Sequence, residues 1–164
     1  MAGQELPLAA GRRSLVIASF VIGIVAGIIF AIFEMIVAAL MGIGFFAPLR
    51  MISAIVLGER ALEPSYSLGA AIVVGLIVHM ILSAIYGVIY GLIVSAWTLL
   101  QQRIWLVAVA TLYGLLLWLV NFYIIAPVAF RWFGMADPLV QFIAHTFFFG
   151  TVLGLLLAWR LARS

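Results

Sequence analysis

Four long apolar runs, cut apart by isolated charges, constrain this chain more than any other feature. The first follows Arg12-Arg13 and reaches Arg50 with only Glu34 to interrupt it. The second runs from Pro64 to Gln101, the third from Arg103 to about Pro127, and the fourth from Pro138 to Arg160. Each exceeds the ~20 residues that cross a ~30 Å hydrocarbon core at about 1.5 Å per residue. With 68% hydrophobic and 8% charged residues in 164, a water-soluble domain could not hide its apolar surface. The sequence therefore predicts an all-α integral membrane bundle of four transmembrane helices, spanning 15–40, 68–97, 104–126 and 139–159, in a single domain over 1–164. The first run is far longer than the apolar core of a signal peptide, so an uncleaved helix is expected.

All eight basic residues are arginine, and their distribution sets an expected orientation. Four spans place both termini and the second connection on one side, with Arg12, Arg13, Arg103, Arg160 and Arg163 and the single acid Glu5. The other side carries Arg50, Arg60 and Arg131 with Glu59, Glu63 and Asp137. The arginine excess predicts cytoplasmic termini in a bacterial inner membrane. Trp97, Trp105 and Trp159 fall at the expected cytoplasmic ends, and Trp132 at the outer end, as interfacial indoles do. Scattered arginines make no nucleic-acid patch, and the absence of cysteine excludes disulfides and thiolate chemistry.

The outer connections carry punctuation. Gly42-Ile-Gly44-Phe-Phe-Ala-Pro48 should break the first helix, and Pro48 suits the first turn of a short interfacial helix over 48–58 that Gly58 can end. Ala126-Pro127 and Asp137-Pro138 bracket the second outer connection, with Asp137 as cap of the fourth helix. Two hairpins echo one another: Gly27 precedes Glu34 by seven residues as Gly114 precedes Asn121, and each pair is followed by a helix with one histidine, His79 or His145. The alternative is that apolar helices simply look alike. Small residues spaced by four, at Gly23 and Gly27, Gly87 and Gly91, Ala110 and Gly114, and Gly150 and Gly154, predict close helix packing, within the chain or between copies.

Polar groups at membrane depth are costly and mark function or helix adhesion. Glu34, His79, Asn121 and His145 all fall in the outer half by helical rise, so one cluster is possible, with Ser83 and Tyr86 following His79 on the second helix. His79, Ser83, Tyr86 and Tyr90 share a helix face that should look inward. Three readings compete. The histidines read as neutral hydrogen-bonding glue, as axial ligands of a haem or chlorophyll, or with Glu34 as a proton or substrate path. Glu34 itself is expected near headgroup water, or paired with Arg50 or Arg131. A zinc site lacks a third strong ligand. Tyr66, Tyr123 and Phe147-Phe148-Phe149 are expected to pack or face lipid. No phosphate loop, zinc-protease helix or nucleophile elbow is present, so no enzyme is expected.

The pattern of Gly23, Gly27 and Glu34, then Ala47-Pro48-Leu49-Arg50, Val78-His79-Met80-Ile81-Leu82-Ser83, the Gly114 helix ending at Pro127, and Ala144-His145 resembles bacterial four-helix inner-membrane proteins of the YagU-like group. The chain departs from that group in a shorter first connection and in lacking a basic residue before Glu34. The resemblance implies a fold and a membrane address but no activity. Together these features lead us to expect a structural or accessory subunit in a homo-oligomer or a larger respiratory or photosynthetic-type complex within the lipid bilayer. The alternatives are a small transporter or proton conductor using Glu34, His79 and His145, and a haem or chlorophyll protein.

Overall fold

The computed structural model of the chain describes residues 11–163, so Glu5 lies outside the described residues. It contains five helices: α1 (Arg12–Leu40), α2 (Ala47–Leu57), α3 (Leu68–Ala96), α4 (Arg103–Ala129) and α5 (Pro138–Leu161). All but α2 are long and apolar enough to cross a membrane, which makes this a multi-pass membrane protein. Arg12, Gln102 and Arg163 lie at one end of the bundle, the near end. Helix α2 and the α4–α5 connection lie at the other, the far end.

Local chemistry sets the boundaries. Gly42 and Gly44 take φ values of 74° and 112°, a left-handed geometry that side chains resist, and the chain turns out of α1 there. Pro48 sits in the first turn of α2, where its missing N–H leaves no bond unmade. Arg50 then pins the following loop, donating to the carbonyls of Glu63 at 2.8 Å and Tyr66 at 3.0 Å. Asp137 caps α5, its Oδ1 accepting from the amides of Leu139 at 2.9 Å and Val140 at 3.0 Å.

Helix α1 begins at Arg12, three residues before expectation, and α4 continues through Pro127 to Ala129 instead of ending at Ala126. Proline removes one amide donor and crowds the carbonyl four residues back. The backbone just before it widens into a π-helical segment, Val120–Ile125, in which the Ala126 amide bonds to the Asn121 carbonyl. A second π segment, Ala144–Thr151, lies in α5.

Packing follows membrane rules. On α1 the buried face is made of Leu15, Ser19, Gly23, Gly27, Ala31 and Glu34, while Ile17, Val21, Ile28, Ile32 and Ile36 are exposed. Small residues point inward so that backbones can approach; branched ones face lipid. Helices α1 and α3 form one hairpin and α4 and α5 the other. A methyl added at Gly23 would lie 2.8 Å from the Gly87 Cα, and one at Gly114 would lie 2.9 Å from the Gly150 Cα. The hairpins thus echo one another through Gly23 and Gly114, one helical turn from the Gly27–Gly114 match that the sequence suggests.

The hairpins join along a tyrosine seam. Tyr90 donates to the Leu106 carbonyl at 2.5 Å, Tyr113 to the Tyr86 carbonyl at 3.0 Å, and Tyr86 to Asn121 Oδ1 at 3.1 Å. Toward the near end a dry core closes around Tyr90, Val94, Leu106, Leu153 and Leu157. Toward the far end the helices surround a cavity.

Candidate functional site

That cavity has a volume of about 1020 Å³ and is partly open. Its walls come from the second half of α1, from α2, the middle of α3, the end of α4 and the start of α5. Most of the lining is apolar, which is how a site for a small molecule is built when a few polar groups fix orientation. All six residues of the expected polar cluster (Glu34, His79, Ser83, Tyr86, Asn121 and His145) line it.

Each is positioned by its helix. His79 is buried on α3 and donates from Nε2 to the Gly27 carbonyl of α1 at 2.8 Å. A carbonyl can only accept, so this nitrogen carries the proton. Ser83, one turn on, donates back to the His79 carbonyl at 2.7 Å and fills the space beside Gly27. His145 donates from Nδ1 to the Gln141 carbonyl at 2.9 Å, leaving Nε2 unprotonated in the neutral ring. The ring of Phe30 packs against both imidazoles, with centroids 5.3 Å from His79 and 4.8 Å from His145. Ligation of a tetrapyrrole iron or magnesium by His79 through Nε2 would require surrender of the Gly27 bond.

Glu34 departs from expectation. It pairs with neither Arg50 nor Arg131; it is 6% exposed, lines the cavity and accepts a hydrogen bond from Gln141 Nε2. Two facts explain this. The buried stripe of α1 continues through Gly27 and Ala31 to Glu34, so the carboxylate faces the bundle. Arg50, meanwhile, is occupied by backbone carbonyls of its own loop.

Gln141 is the site residue that sequence reasoning missed. It joins the acid of α1 to the imidazole of α5, through its side chain to Glu34 and its carbonyl to His145. A signal was present: Gln141 and His145 stand four apart behind the Asp137 cap and so share a face. Asn121 and His145 each lie inside a π segment. The extra residue in such a turn re-aims the side chains, and π turns recur at functional sites for that reason.

None of the seven packing glycines lines the cavity, although Gly27 accepts the His79 bond at its edge. Gly23, Gly27, Gly87, Gly91, Gly114, Gly150 and Gly154 all face a neighbouring helix of the same chain. Tyr123 and Phe147 are exposed, whereas Phe149 is buried and Phe148 stacks on Phe33 at 3.9 Å. Comparison of the chain with known protein families, with functionally described proteins and with solved structures finds no match.

Proposed function

We propose that this chain is a non-catalytic, multi-pass protein of the bacterial inner membrane that binds a small amphipathic molecule in its far-end cavity, as a small transporter or carrier does. One observation carries this: a cavity of about 1020 Å³ with apolar walls and an inner patch built from Glu34, Gln141, Asn121 and His145. A purely structural bundle has no need of such a space, because close packing of the helices gains dispersion energy that an open cavity forfeits. The arginine bias supports cytoplasmic termini, which puts the cavity at the periplasmic side. The accessory-subunit expectation draws on the small-residue faces together with the lack of a soluble domain and of a catalytic motif. These faces are satisfied within the chain and so give no separate support for a partner.

The test is native mass spectrometry of protein released from lipid nanodiscs. The unaltered protein should retain a bound molecule of a few hundred daltons. Ala38→Phe, which places a ring in the cavity wall, should lose it while keeping helical content. Release without any bound mass, or equal retention by the filled variant, would rule the cavity out as a ligand site.

A further inference from the structure

The charge balance of the cavity identifies the class of occupant, given that the cavity binds a ligand at all. The geometry points to a lipophilic organic cation, held with Glu34 as its counter-ion and its apolar body against the aromatic wall. Glu34 is buried, one of its oxygens accepts from a neutral amide, and among the described residues no arginine or histidine nitrogen pairs with it. A buried carboxylate without a countercharge is costly in a low-dielectric site, and a cationic ligand supplies what is missing.

Arg50 is the one arginine among the lining groups, and it does not serve that role. Its guanidinium donates to the carbonyls of Leu62, Glu63 and Tyr66. The second lining acid, Asp137, has one oxygen engaged in capping α5 and adds negative charge near the mouth. Around these groups stand Phe30, Phe122, Phe133 and Phe149. Ring faces attract cations that have shed their water, and a diffuse organic cation sheds it most cheaply. The two histidines each hold a proton toward a backbone carbonyl, and no hydrogen bond joins either ring to Glu34.

The experiment compares two ions of nearly equal size and shape and opposite charge, tetraphenylphosphonium and tetraphenylborate. Equilibrium dialysis against protein in nanodiscs, with empty discs subtracted, reads binding of each. Saturable binding of the phosphonium and none of the borate is expected, with Glu34→Gln weakening the phosphonium by about ten- to a hundredfold. Equal binding of both ions, binding of neither, or an unweakened Glu34→Gln protein would overturn the assignment. Ala38→Phe separates this from failure of the cavity itself. If it abolishes binding of both ions alike, the cavity stands and the charge selection falls. If phosphonium binding survives the filled cavity, the ion sits elsewhere and the cation assignment falls, while the retained mass in native mass spectrometry still decides on the cavity. Should Glu34→Gln not fold, the two-ion comparison on the unaltered protein still decides.

Discussion

His79 and Gly27 meet where α1 and α3 come closest, and the contact has two parts that substitution can separate. The histidine donates across the interface at 2.8 Å, and the glycine leaves room for the Ser83 side chain. His79→Phe keeps the ring volume and removes the bond; interhelical hydrogen bonds in membranes contribute about 0.6 kcal/mol on average. Gly27→Ala drives a methyl into Ser83, whose Cβ would lie 2.5 Å away, and overpacking of this kind costs about 1–3 kcal/mol. Thermal unfolding in detergent should therefore rank Gly27→Ala as the more damaging change. Adding Ser83→Gly to Gly27→Ala should recover most of the loss; simple summation of the two single effects would refute the steric account. Residue identity made much of this cluster legible, because a histidine or a serine in an apolar run has to find a partner inward. Glu34 was harder. Its position along the axis follows from helical rise, but whether it faces lipid, water or the bundle depends on where α3 and α5 stand. Its partner Gln141 is 107 residues away in the chain.

At the scale of elements, the ends of the helices are written locally and their interiors are not. Asp137 caps α5 through its own side chain, and Gly42 and Gly44 turn the chain out of α1, so a few neighbouring residues suffice to place both. The π segments have no such local signature. Pro127 is compatible with a helix end or with a widened turn, and the choice falls to the seam, where Tyr86 on α3 donates to Asn121, which lies within the widened turn. This predicts a dependence of one on the other. In Pro127→Ala the restored amide can bond four residues back, the turn can tighten, and Asn121 rotates away from Tyr86. A double-mutant cycle of Tyr86→Phe with Asn121→Ala should show coupling of about 0.6–1.7 kcal/mol in the parent protein and close to none in the Pro127→Ala background. Persistent coupling would mean that the proline does not hold the turn open.

Across the whole molecule, two contacts of unlike kind join the hairpins at opposite ends. Near the closed end Tyr90 bonds to Leu106 inside a dry core. At the far end the Trp132 indole donates to the Met51 carbonyl at 3.0 Å and links the α4–α5 connection to α2 beside the cavity mouth. Apolar length alone makes the number of spans legible. Which helices stand apart to leave a cavity is a balance of many weak contacts, and no single residue encodes it. The two junctions should also fail differently. Trp132→Phe removes a contact at the rim, so the mouth should open more often while the core stays intact. Tyr90→Phe removes a buried bond, so stability should fall while the mouth is unaffected. The chain has no cysteine, so a single Ala126→Cys in the cavity wall reports opening cleanly. A lost hydrogen bond of about 1 kcal/mol corresponds to roughly fivefold more frequent opening. Maleimide labelling of Cys at 126 should therefore accelerate about fivefold with Trp132→Phe and stay at the parent rate with Tyr90→Phe. Equal acceleration by both would mean that the bundle breathes as one body and that the Trp132 contact does not govern entry to the cavity.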